Sequence, residues 1–230
     1  MKEENDAISE GLKAPRAGAI AGILFSILFI VSVVLIRLSV PDNPGDPGTW
    51  LSHSAKSIGL ALDLLPFAGI AFLWFMGVLR DRMGTNEDRF LATVFLGSGL
   101  LFLGLTFVSS ALTGGLMMAY QAVPEKLMVS GTYAFGRAVT YELVNVYALR
   151  MAGVFMFSTC TLAIRIGIFP RWMAFLGYVL ALFLLLSIGH YGWAPLVFPL
   201  WTLVVSVYVL LANYSARGDV QGRRAVAPTT

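Results

Sequence analysis

Six apolar stretches alternate with short polar turns along the chain, and each is close to the length that crosses a bilayer. A membrane-spanning helix needs about 20 apolar residues at a rise of ~1.5 Å each. Residues 17–38 meet that requirement with a single charge, Arg37. The preceding segment, 1–16, is polar and carries Glu3, Glu4, Asp6 and Glu10. Four acids do not suit a secretory leader, and the apolar run exceeds the ~7–15 residues of a leader core, so 17–38 is predicted to be an uncleaved first span. Pro41, Pro44, Gly45, Pro47 and Gly48 then break the helix, with Trp50 expected at the membrane interface.

The second span is predicted over 57–79, closed by Arg80-Asp81-Arg82. From Phe90 the apolar run reaches Ala122, about 33 residues or ~50 Å of helix. Gly114-Gly115 is expected to divide it, leaving a third span over 90–113. Residues 131–169 contain no internal turn signal; their first part holds Arg137, Glu142, Asn145 and Arg150, and their second is apolar. One long helix with a polar outer third is predicted, spanning over 145–164. It projects with the third helix as a cap joined through 123–130. A basic turn containing Pro170 precedes the fifth span (172–189), and a turn at 190–193 precedes the sixth (196–214). The segment 215–230 is polar, basic and rich in small residues, which predicts a disordered tail. The fold class is thus all-α, a bundle of six transmembrane helices forming one domain over 17–214.

Composition agrees and excludes the alternatives. The chain has 230 residues, 57% hydrophobic and 13% charged, with mean hydropathy +0.77. A soluble domain carries about 25% charged residues, and a disordered chain needs far less apolar surface. The net charge of +3 calls for no nucleic-acid partner, because its placement is one-sided. Lys2, Lys13, Arg16, Arg80, Arg82, Arg89, Arg165, Arg171, Arg217, Arg223 and Arg224 fall on one side, eleven of the 16 basic residues. Arg37, Lys56, Lys126, Arg137 and Arg150 fall on the other. The positive-inside rule then makes both termini cytoplasmic. Trp50 and Trp193 are placed at the outer interface and Trp172 at the inner one.

Packing signals are present on the spans. Gly18, Gly22 and Ser26 form a small-residue stripe, and Ala111 with Gly115 forms a second. Both are read as seams inside the bundle rather than a dimer contact. No internal repeat or matched pair of broken helices points to an inverted-repeat transporter.

Asp63 is the most informative candidate, a carboxylate inside an apolar span where insertion costs about 2.5–3.5 kcal/mol. It stands about six residues, ~9 Å, below the outer end of its helix, beside the kink-prone Pro66. Arg150 falls at a similar depth on the fourth helix, so an Asp63–Arg150 pair is predicted. Glu142, Asn145, Arg137 and Arg37 complete a polar cluster nearer the outer surface. A pair that locks helix register needs only two residues. The gathering of six at one end also admits a pocket for a solute or lipid head group.

Other chemistry lacks support. His53 and His190, with Asp42, Asp46 and Glu142, do not reach the spacing of a metal site, so no metal is expected. Too few histidines are present for a three-histidine hydrolase like the ceramidases. Gly97-Ser98-Gly99 departs by one place from the serine-protease order, and no base is placed for it, so Ser98 reads as packing. Cys160 reads as a buried inert thiol. No P-loop, dinucleotide fingerprint or CxxC pair occurs, no cofactor is implied, and no catalytic residue is assigned. Arg217-Gly218-Asp219 lies on the cytoplasmic side and carries no adhesion meaning.

The turn Arg165-Ile-Gly167-Ile-Phe-Pro170-Arg171-Trp172-Met-Ala174-Phe-Leu176-Gly177 resembles the Pro-Arg-Trp loop between the fourth and fifth spans of uncharacterised bacterial six-helix membrane proteins. The entry Arg16-Ala-Gly-Ala-Ile-Ala-Gly22 is similar to theirs as well. The resemblance covers about 20 residues in two patches. It implies a bacterial plasma-membrane location and no particular activity. Three readings of function follow: a non-catalytic ligand-binding or accessory protein, which demands least; a small permease using Asp63; and a lipid-acting enzyme with Glu142 or Asp63 as base. The expected partners are the bilayer and a lipid head group or small solute. A reporter fused after Thr230 is expected to be active only in the cytoplasm; periplasmic activity would invert the topology.

Overall fold

The computed structural model describes residues 2–41, 46, 48, 50–81, 89–167, 170–187 and 192–226, with side chains placed for those between 16 and 212. The described residues are almost wholly helical, and none forms a strand. The elements are α1 (Lys2–Ser39), α2 (Trp50–His53), α3 (Ala55–Asp81), α4 (Arg89–Ala122), α5 (Pro124–Val129) and α6 (Thr132–Glu142). A π-helical turn over Leu143–Ala148 joins α6 to α7 (Leu149–Ile166). Then come α8 (Arg171–Leu186), a 3-10 turn at Ala194–Leu196, and α9 (Val197–Val226).

Five helical stretches are long and apolar enough to cross a membrane: Arg16–Ser39, Ala55–Asp81, Arg89–Ala122, Thr132–Ile166 and Ala194–Ala212. With 16 residues α8 is shorter, ~24 Å. Two boundaries differ from the sequence-based expectation. First, α4 runs unbroken through Gly114-Gly115 for 34 residues. Glycine lowers helix propensity by only about 1 kcal/mol, which neighbouring helix formers and packing override. Second, α9 continues as helix to Val226, through most of the segment expected to be disordered. A helix already nucleated extends at little cost through Ala, Arg and Gln.

The bundle is assembled around α1, which packs between α3 and α9. The stripe on α1 makes this possible. Gly18 lies against Val78, and a Cβ on Gly22 would overlap Ser206 and Phe75. Ser26, fully buried, donates to the Gly22 carbonyl at 2.7 Å. That stripe therefore forms internal seams. The second stripe does not: Ala111 and Gly115 are exposed, and Gly115 has open space around it. On α4 the close approach is made at Gly99, against Met76 and Phe155. α8 docks on α7, where Gly153 faces the Ala181 carbonyl and Gly177 faces Cys160. Cys160 and Ser98 are both buried packing residues, as expected.

Aromatic rings fill the middle of the bundle. Phe72 lies 4.8 Å from Phe25, 5.1 Å from Phe155 and 5.7 Å from Phe102, and Phe102 lies 4.8 Å from Phe198. A second, smaller core of Val40, Trp50, Leu51, Ile58, Leu116, Met117, Leu127 and Tyr133 closes one end, called the roof below. Trp50 belongs to this core. It is 4% exposed and donates from Nε1 to Tyr133 Oη at 2.9 Å, rather than standing at a lipid interface. The polar indole nitrogen makes tryptophan suited to either place, and here Tyr133 supplies the acceptor.

Overpacking a buried seam costs about 1–3 kcal/mol. Gly22→Leu is expected to lose that much unfolding free energy in mixed micelles. Gly104→Ala, with no neighbour within 4 Å, should be neutral or stabilising by up to ~1 kcal/mol. Equal effects at the two positions would contradict the packing described.

Candidate functional site

Below the roof, α1, α3, α4 and the α6–π–α7 helix do not close on one another. They enclose a cavity of about 110 Å³. Its wall on α1 runs from Phe29 through Val33, Ile36 and Arg37 to Val40, and on α4 from Phe102 through Thr106, Ser109 and Ser110 to Thr113. Each wall spans twelve residues, ~17 Å along the helix. The fourth long helix contributes Arg137, Thr140, Tyr141, Val144, Asn145, Ala148 and Leu149, a ladder at three- and four-residue spacing that marks one helix face. Leu62 and Leu65 of α3 and Pro195 complete the lining.

The chamber is graded along its length. Phe29, Val33, Leu65, Phe102, Ala148 and Leu149 line the floor beside the aromatic core, whereas Arg37, Arg137, Asn145, Ser109, Ser110 and Thr113 lie towards the roof. Several of the hydroxyls are already engaged by carbonyls of their own helices: Thr106 with Phe102 at 2.8 Å, Ser110 with Thr106 at 2.8 Å, Thr113 with Ser109 at 3.0 Å. Guanidinium groups are therefore the strongest donors that face the space.

Three of the predicted residues meet here. Arg37 donates from an Nη to Asn145 Oδ1 at 2.8 Å, bridging α1 to the fourth long helix. Asn145 is 4% exposed and its Nδ2 donates to the Tyr141 carbonyl at 3.0 Å. It sits in the π-helical turn, where the Leu149 N–H reaches back five residues to the Val144 carbonyl. The amide side chain thus supplies an extra donor where the backbone ladder changes spacing. Such π-turns are rare and occur disproportionately at functional sites. Arg137 is 8% exposed. It donates to the Pro41 carbonyl and lies over the Trp50 ring, 5.8 Å from its centroid, a cation–π distance. Its Nε is buried without a hydrogen-bond partner among the described residues.

The other three predicted residues point elsewhere. Asp63 is exposed, on the stripe of α3 that also carries Leu60, Phe67, Ile70 and Trp74. Glu142 is exposed, and Arg150 is half-buried and donates to the Val146 carbonyl of its own helix at 3.0 Å. The predicted Asp63–Arg150 pair is not formed. The reason is azimuth: Glu142 and Arg150 each stand one residue, about 100°, beyond the chamber-facing Tyr141 and Leu149. Asp63 is likewise one residue beyond Leu62. Sequence reasoning missed Tyr141 and the hydroxyls of α4; the ladder Arg137, Thr140, Tyr141, Val144, Asn145 was the signal that could have found the former. His53 is exposed and in contact with Ser52 Oγ at 2.9 Å, while Asp42 and His190 lie outside the described residues.

Pairwise coupling separates the two arrangements. A cycle of Asp63→Ala with Arg150→Met is expected to show coupling below ~0.5 kcal/mol, whereas Arg37→Met with Asn145→Leu should couple by about 0.5–3 kcal/mol. Unfolding of the four variants and two doubles in mixed micelles measures both; the reverse ranking would refute the geometry.

Comparison with known proteins finds no match: no family model fits the chain, and no curated protein or solved structure is similar to it.

Proposed function

We propose that this is a non-catalytic, ligand-binding protein of the bacterial plasma membrane, with the graded chamber as its binding site. In this reading α8 also crosses the membrane, as the fifth of six spans, both termini are cytoplasmic, and the roof faces outward. The one-sided distribution of Lys and Arg supports that orientation. The location rests on the resemblance of the Pro170-Arg171-Trp172 turn to bacterial six-helix membrane proteins.

The observation that carries the proposal is the buried, incompletely bonded Arg137 at the wall of a cavity that Arg37 and Asn145 also line. Buried polar atoms without partners are uncommon, and a polar, concave site deep in an apolar protein is the usual form of a small-molecule pocket. The lining is less suited to the alternatives. Among the described residues it includes serines, threonines and a tyrosine but no His, Asp, Glu, Cys or Lys, so none of these supplies a side-chain base beside a hydroxyl nucleophile. A permease driven by Asp63 would need that carboxylate at the pathway, whereas it is exposed and lies about 100° round α3 from the lining residue Leu62. The aromatic floor also closes the chamber below.

Solvent access tests this directly. On a Cys160→Ser background, Thr113→Cys is expected to react with an impermeant thiol reagent added to intact cells, and the lipid-facing Phe67→Cys is not. Protection of Thr113→Cys, with the variant shown to be inserted, would mean a sealed polar lock and would end the proposal.

A further inference from the structure

Four charged residues stand on the outer surface of two helices, outside the chamber. On α3, Lys56 and Asp63 are both exposed, seven residues or about two turns apart, on the stripe that also carries Leu60, Phe67 and Ile70. On the fourth long helix Glu142 is exposed and Arg150 half-buried. These two are eight residues apart, but the π-turn between them takes up one extra residue, so they too lie about two turns apart on one face. None of the four is in an ion pair among the described residues; Arg150 bonds only the Val146 carbonyl of its own helix. The signs run in opposite order: Lys56 above Asp63 on one helix, Glu142 above Arg150 on the other.

The two patterns share a depth. Both helices run away from the roof, and Phe72 and Phe155 meet at 5.1 Å in the aromatic core. Asp63 stands nine residues before Phe72. Arg150 reaches back up its helix to Val146, nine residues before Phe155. Their neighbours Leu62 and Leu149 line the same chamber.

Between these helices lies α4, which packs against both. It turns Phe107 to Gly69 of α3 and Leu116 to Gly136 of the fourth long helix. Its outer face carries Gly97, Gly104, Ala111 and Gly115 at seven- and four-residue spacing, and the three glycines have no neighbour within 4 Å. A second helix could approach closely there. The small residues permit an approach; the charges say what approaches.

We infer that this face binds a second copy of the chain, α4 against α4, with Asp63 paired to the partner's Arg150 and Lys56 to the partner's Glu142. A twofold axis along the membrane normal keeps every residue at its depth and exchanges the two flanks. With that axis beside α4, α3 of one copy meets the fourth long helix of the other, plus opposite minus at both levels and on both sides. A carboxylate in an apolar surround is costly alone and far less so when paired, which accounts for Asp63 on a lipid-facing stripe. The pairs form between chains, so they leave no mark on the unfolding of a chain diluted to monomers in micelles. The inference does not depend on the chamber holding a ligand.

The test uses the full chain on a Cys160→Ser background in phosphatidylcholine vesicles, reading the rate of disulfide cross-linking through Ala111→Cys. Val204→Cys, exposed on α9, is the control. A cross-linked dimer should form at least tenfold faster through Ala111→Cys. Asp63→Asn or Arg150→Gln should each slow it about tenfold. When differently tagged Asp63→Asn and Arg150→Gln chains are mixed, they should cross-link to each other faster than either does to itself, because only the mixed dimer keeps one Asp63–Arg150 pair. A purely structural role for either residue gives no such preference. Gly104→Leu, which blocks the approach and leaves the charges untouched, should also slow cross-linking about tenfold and serves if the charge variants fail to insert. Cross-linking no faster than the control, products larger than dimers, or no preference for the mixed pair overturns the inference. So does a face that is silent in pure vesicles and cross-links to a different protein in native membranes.

Discussion

A guanidinium does not give up its proton inside a protein, so Arg137 must be accommodated as a cation wherever the fold places it. The fold places it 8% exposed, under a tryptophan ring and against a backbone carbonyl. Neither contact neutralises its charge. Desolvating a cation is expensive, and the cost is recovered only when a counter-charge and a full set of hydrogen bonds surround it. Much of the roof is explained by that requirement. Pro41 ends α1 with its carbonyl turned to Arg137. Trp50 is held over the guanidinium by its own hydrogen bond to Tyr133. Tyr133 stands one turn before Arg137 on α6, so the same helix supplies the cation and the anchor of its aromatic cover.

The π-helical turn serves the same end. It lies where the fourth long helix passes from the roof core to the aromatic core, and Asn145 sits inside it. The side chain uses both polar atoms, taking one bond from Arg37 and giving one to Tyr141. Arg37 is thereby carried over the chamber instead of extending freely from the end of α1. A long arginine in a membrane helix commonly snorkels to the interface. Here Asn145 holds it at the cavity wall. Serine and threonine on α4 add polarity to the wall while their hydroxyls are engaged by carbonyls of their own helix.

How much of this could be read from the sequence divides along one physical line. Position along the membrane normal is written in hydropathy, because the cost of a polar group depends on depth. The five long apolar helices therefore lie where their composition put them, and Arg37, Arg137 and Asn145 were legible as residues at one end of the bundle. Rotation about each helix axis is written far more faintly. Asp63 has the right depth and the wrong face. It shares its stripe with Phe67, Ile70 and Trp74, while Ala61, Leu65, Ala68 and Phe72 turn inward. Small residues mark the packed face of a membrane helix, and on α3 they were the better guide. Arg150 misses the chamber by the same one-residue offset from Leu149. Trp50 illustrates a further ambiguity, since an indole suits both an interface and a satisfied core, and only the position of Tyr133 decides between them. The π-turn left no mark in the residue pattern at all.

Replacing the buried guanidinium by an apolar side chain of similar length tests the central claim most directly. If Arg137 is kept for a ligand and not for the fold, Arg137→Met should unfold in mixed micelles, with no ligand added, at a free energy equal to or above that of the wild type. A loss of about 3 kcal/mol or more would show that the guanidinium is structural and that the chamber needs no ligand to account for it.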